Sequence, residues 1–144
     1  MQPFKSFSHV SVTVSDLEKA KAFYGGVLGL KEIPRPDFPF AGVWYSLGGD
    51  FQLHIIVNET WQFPPTGRDR FDFRAPHFAL LVEDADEVYG KLKERGYPFR
   101  DVISGPTGLR QIFVHDSDGN MVELLGPSRQ AAPARYEKKA ATSR

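Results

Sequence analysis

The sequence predicts an α+β fold built from two βαβββ units, and three observations predict it. HVSVTVSD at 9–16 and HFALLVED at 77–84 open alike, each running from a histidine through an apolar stretch to an aspartate. A shift of 68 residues places His9 on His77 and Asp16 on Asp84, then sets Leu17, Ala20 and Tyr24 on Ala85, Val88 and Leu92. Each half also passes through the same order of periodicities, and a constant offset of this kind marks a duplicated unit.

The elements follow in order. In HVSVTV, Val10, Val12 and Val14 alternate with His9, Ser11 and Thr13, the period of a strand with one buried face. Asp16 and Asp84 are suited to cap helices, because their carboxylates can accept from the free N–H groups of a first turn. DLEKAKAFYGGVLG and DADEVYGKLKERG repeat apolar residues every three or four positions, which predicts one amphipathic helix per unit. Gly29 and Gly96 close these helices, where a left-handed residue costs least. Three strand-like runs come next: LKEI, VWYSLG and FQLHIIV in the first unit, and YPFRDV, RQIFVH and MVELLG in the second. The units span about 7–57 and 76–126, within one domain of 1–126.

The segment NETWQFPPTGRDRFDFRAP carries prolines, three arginines and four aromatics without a clear period. It reads equally as a connector over the outside of the sheets or as a loop over a pocket or subunit interface. The tail 127–144 holds five basic residues against Glu137. It is expected to fray or form a short helix, and no chemistry falls to it.

Lys plus Arg and Asp plus Glu both total 18, so no overall field recruits nucleic acid or an anionic membrane. The absence of cysteine excludes disulfides, thiolate ligands and a thiol nucleophile. MQPFKSFSHV lacks the apolar run of a signal peptide and no stretch could span a bilayer, so a cytoplasmic setting is expected.

Four side chains carry the chemistry. His9 and His77 head alternating strands, and His54 shares a strand face with Gln52 and Ile56. Glu123 lies within NMVELLG, where no Lys or Arg of the same strand can pair it. An ionised carboxylate there costs several kcal/mol unless something compensates. Taken singly, each histidine is better read as a half-exposed or satisfied side chain, and Glu123 could accept from a neighbouring strand or from Arg110. Taken together, at equivalent positions of a repeat, they point to one divalent metal ion (Zn, Ni, Co, Fe or Mn) held by imidazoles and a carboxylate. Arg110 itself either binds a substrate anion or is a solvated edge charge. The cluster HDSDGN reads as a hairpin turn, since the ligand spacing of a calcium loop is missing.

HVSVTVSDLEKAKAFYGGVLGL, FQLHII, PHFALLVED and VHDSDGNMVELL together resemble the vicinal oxygen chelate superfamily, over nearly the whole body from Phe7 to Gly126. That group includes glyoxalase I, methylmalonyl-CoA epimerase, extradiol dioxygenases and resistance proteins. The resemblance implies an open, U-shaped mixed sheet around a metal site, a small-molecule substrate and a homodimer. His9, His77 and Glu123 match the core ligand positions, and His54 matches a fourth, usually a carboxylate or amide. Asn58 resembles a polar position that bacterial glyoxalases use for glutathione, whereas Thr13 stands where they tend to carry an arginine, which speaks against that ligand.

Three activities are compatible with these residues. A glyoxalase-like lyase or isomerase would hold adjacent substrate oxygens on the metal as an enediolate, with Glu123 and His54 moving protons. An Fe(II) ring-cleaving dioxygenase would use His9, His77 and Glu123 as its triad, with His54 behind. A non-catalytic binding protein would need none of these buried ligands. The first is the expected function.

Overall fold

The computed structural model describes residues 3–62 and 71–130. Contacts divide the chain into two units, Met1–Pro64 with Asp116–Asp118, and Pro65–His115 with Gly119–Arg144. The expectations for residues 63–70 of the connector and 131–144 of the tail lie outside the described residues. No helix among the described residues is long and apolar enough to cross a membrane.

The first unit contains β1 (His9–Val14), α1 (Leu17–Lys21), β2 (Glu32–Ile33), β3 (Gly42–Ser46) and β4 (Gln52–Val57). Its sheet runs β1-β4-β3-β2, with β1 parallel to β4 and the other pairs antiparallel. The second contains β5 (His77–Leu81), α2 (Ala85–Arg95), β6 (Arg100–Ile103), β7 (Arg110–His115) and β8 (Met121–Gly126). It repeats the pattern as β5-β8-β7-β6, with β5 parallel to β8. Two open, mixed, four-stranded sheets with one helix each are the α+β class the repeat predicted.

Alternation sorts β3 and β4 as expected, whereas β7 and β8 are buried at nearly every position. Val43 and Tyr45 of β3 and Leu53 and Ile55 of β4 are buried with Phe23 and Tyr24. The intervening Trp44, Gln52 and His54 are left half-buried on the other face. Asp16 accepts from the Lys19 amide. Asp84 accepts from the Asp86 and Glu87 amides. Gly96 ends α2 with φ 67°, a left-handed geometry in which a side chain would be strained.

The first helix departs from expectation. It is α-helical only to Lys21 and then winds as a π-helix over Ala22–Val27, with the Leu28 amide donating to the Phe23 carbonyl at 2.9 Å. Gly25 and Gly26 hold the α form weakly. The wider turn lets the adjacent Phe23 and Tyr24 both turn inward, at 3% and 0% exposure. A side chain at Gly25 would stand 3.3 Å from the Tyr45 hydroxyl, so the glycine also permits close approach. In the second unit β6 begins at Arg100 rather than Tyr97, whose hydroxyl instead donates to the His115 carbonyl.

The predicted turn after β7 forms, with the Asp118 amide donating to Asp116 Oδ1 at 2.9 Å. Its aspartates have further work. Asp116, 2% exposed, accepts from the Tyr24 hydroxyl at 2.8 Å. Asp118 accepts from the Ser15 amide and hydroxyl at 2.8 and 2.6 Å. Tyr24→Phe removes only the hydroxyl and leaves a buried carboxylate short of a donor. It should cost roughly 1–3 kcal/mol in urea unfolding, and an unchanged midpoint would show the bond to be dispensable.

Candidate functional site

The four ligand candidates sort as two pairs, one in each unit. In the first unit β1 and β4 run parallel, with Ser11 opposite His54 and His9 opposite Gln52. The His9 and His54 rings stack with centroids 4.0 Å apart and planes 20° from parallel. His54 is covered on its other side by Trp44, at 3.7 Å and 5°, because Trp44 is its partner across the antiparallel β3–β4 ladder. Gln52 Oε1 lies 2.9 Å from His54 Nε2, and the Ser8 hydroxyl lies 2.9 Å from His9 Nδ1. Burial lowers the His54 pKa, and the nearby charges of His9 and Arg35 lower it further. The neutral, basic imidazole is thus favoured at neutral pH.

In the second unit β5 runs parallel to β8, and Glu123 lies opposite Ala79 on one side and Phe113 on the other. Glu123 is 6% exposed, as the apolar character of its strand predicts. Its recorded partner is His77, with Nε2 at 3.5 Å from Oε1. His77 Nδ1 lies 2.8 Å from the Ala75 carbonyl. A carbonyl oxygen only accepts, so Nδ1 donates to it and Nε2 is the ring atom turned toward the carboxylate. A charge-assisted N–H···O bond would close to about 2.7–2.9 Å, well inside the observed separation. A cation bonded to both atoms at about 2.0–2.2 Å, near the tetrahedral angle, holds them roughly 3.4 Å apart. The donor set and its spacing fit a divalent metal.

Among the described residues no three His, Cys, Asp or Glu side chains gather at one point. The structure therefore brings together His9 with His54, and His77 with Glu123.

Arg110 is not a solvated edge charge. It is 2% exposed, with Nε and Nη2 donating to Asp101 at 2.8 and 2.7 Å and Nη1 donating to Asp86 at 2.7 Å. Its guanidinium also lies 4.0 Å from the Tyr89 ring centroid. The two carboxylates take three of its N–H groups, and it ties α2, β6 and β7 together. Asn58 sits just beyond β4, where its side-chain oxygen accepts from the Thr60 amide and hydroxyl. Its carbonyl is thereby committed to a local turn.

Sequence reasoning passed over Trp44 and Arg35. The alternation of β3 could have placed Trp44 on the polar face, but only the strand register could put it on His54. His115 was passed over too. It is 7% exposed, stacks on Phe71 at 4.4 Å, and has a buried Nδ1 without a hydrogen-bond partner.

Known proteins resemble this chain over most of its length. The sequence model of the Glyoxalase/Bleomycin resistance protein/Dioxygenase superfamily matches residues 6–124. A lactoylglutathione lyase of Neisseria meningitidis is 30% identical over 128 residues, covering 81% of this chain and 87% of that protein. A mitochondrial methylmalonyl-CoA epimerase of Bos taurus is 31% identical over 128 residues, covering 81% and 71%. A solved glyoxalase family protein from Bacillus anthracis superposes with a TM-score of 0.71 at 27% identity, over 88% of this chain and 98% of that one.

Proposed function

The chain belongs to the Glyoxalase/Bleomycin resistance protein/Dioxygenase superfamily, and on that premise we propose that it is a divalent-metal-dependent lyase or isomerase of the glyoxalase type. Its substrate is a small molecule with adjacent oxygens, and His9, His54, His77 and Glu123 hold the metal. The observation that carries this reading is Glu123, a buried carboxylate facing His77 Nε2 at a ligand-like 3.5 Å. Relatives named a lyase and an epimerase, at 30% and 31% identity, support it over oxygen chemistry.

A bound divalent cation supplies Lewis acidity to a substrate oxygen and so lowers the barrier to losing a proton from the adjoining carbon. The residues do the rest. The Glu123 carboxylate takes the proton from that carbon and returns it to the neighbouring one. The buried strand around it keeps water from intercepting the proton. The Ala75 carbonyl fixes the His77 tautomer, leaving Nε2 to bind. His54, kept neutral by burial, is the second base or the fourth ligand. A homodimer belongs to the same reading.

Elemental analysis of the purified chain, paired with turnover of small 2-oxoaldehyde adducts with and without oxygen, tests it. About one equivalent of zinc, nickel or cobalt with oxygen-independent turnover is expected. Oxygen uptake with iron alone would replace the reading with a ring-cleaving dioxygenase. A chain that binds no divalent metal would replace it with a ligand-binding protein.

A further inference from the structure

The polar face of the first sheet carries more than two ligand candidates. From His9 the rings continue through His54 and Trp44 to Phe38, 6.1 Å from Trp44, and to Phe40, stacked 5.3 Å from Phe38. Neighbouring strands lie about 4.8 Å apart, and the rings of His9, His54 and Trp44 on three adjacent strands stack face to face at similar spacings. These rings therefore stand upright on the sheet and turn their edges outward. Ring edges are the positive part of an aromatic quadrupole, so they attract the π face or the negative group of a ligand.

Beside this row lies a cation. The Arg35 guanidinium is 5.1 and 5.2 Å from the centroids of Phe38 and Phe40, and one of its N–H groups donates to the Phe40 carbonyl at 2.7 Å. It is half-buried, and no ion pair to a carboxylate is recorded for it among the described residues. Gly42 makes room for it. An added Cβ there would lie 3.1 Å from the guanidinium nitrogens and 2.4 Å from the Ile55 carbonyl. A cleft of about 520 Å³ reaches Arg35, Ile33 and Trp44, with Lys21 and Glu32 also in its walls. Small-molecule sites fall within about 300–1,000 Å³.

We propose that this face recognises a small planar aromatic carboxylate, its ring received by the row from Phe38 through Trp44 and its anion by Arg35. The single positive charge of Arg35 beside the row balances one carboxylate and falls short of a dianionic phosphate. The planar guanidinium also matches a carboxylate's two oxygens. The proposal rests on the reading of His54 and His9 as part of the active site, and it names the substrate class of that site: a carbonyl compound bearing an aromatic acid.

The test uses the full chain with Trp61→Phe, which leaves Trp44 as the sole tryptophan. Its fluorescence is titrated with sodium benzoate, benzamide and sodium acetate, before and after treatment with EDTA. Benzoate should change the emission saturably and bind at least about tenfold more tightly than benzamide or acetate. Arg35→Met should abolish the preference over benzamide, Arg35→Lys should retain part of it, and Phe38→Ala should weaken both aromatic probes. Thermal melts confirm that each variant folds. Equal binding of benzoate and benzamide, or an Arg35→Met chain that keeps the preference, would overturn the proposal. The readout needs no turnover. A chain without metal or lyase activity that still prefers benzoate would refute the proposed function and leave recognition of an aromatic carboxylate standing as binding alone.

Discussion

Arg110→Met is expected to lower the melting temperature by roughly 10 °C, from a loss of about 3 kcal/mol. The guanidinium is almost wholly buried and bonded by Asp86 and Asp101. Methionine refills the stem but takes away the cation shared by Asp86 and Asp101. Asp101 is left without it and Asp86 with only the exposed Arg129, and that lost compensation is the larger cost. Adding Asp86→Asn and Asp101→Asn should recover much of the loss, because an ion cluster replaced whole by neutral groups is often nearly neutral in stability. Calorimetric melts of the single and triple variants check this. A single variant that melts with the parent would mean water reaches the cluster.

The same cluster is expected to contribute to stability on the acid side. The Ser128 hydroxyl, the Arg129 amide and the Arg110 guanidinium hold the Asp86 carboxyl well below the usual carboxylate range. Arg129 and the Glu87 amide lower the pKa of Asp84. A carboxyl depressed in the folded state binds its proton more readily when unfolded. Its contribution is therefore complete above about pH 4 and fades as the pH falls below that value. Arg110→Met should flatten this acid-side slope.

Glu123→Gln is expected to reduce kcat by about 10²–10⁴-fold with a much smaller change in KM. The amide keeps the size of the side chain but cannot take a proton from carbon. The metal-free variant should melt no lower than the parent, since an amide is cheaper than a carboxylate to bury at this position. Those opposite signs separate a catalytic role from a structural one. Normal turnover would remove Glu123 from the chemistry, and a lowered melting temperature without loss of turnover would make it a structural group.

Much of the fold was legible because it is written in local periods. The valine alternation in β1, the caps at Asp16 and Asp84 and the glycine at 96 act within a few residues of themselves, so their consequences could be read in place. Glu123 was legible for another reason: a charge inside an apolar strand violates a local rule. The first helix was misread because its π winding serves two adjacent aromatics that both find room inside. The helical period carries no signal of that room.

By itself the sequence determined the duplicated βαβββ order, the strand faces, the helix starts and the short roster of groups able to bind a metal. Tertiary structure alone decided who meets whom. Arg110 found Asp86 and Asp101, Asp116 found Tyr24, and Trp44 and Arg35 came to lie beside His54. Each is a contact between residues distant in the chain or on different strands, set by sheet register and packing. The energy that selects such partners depends on which strands pair, and no stretch of chain encodes that alone.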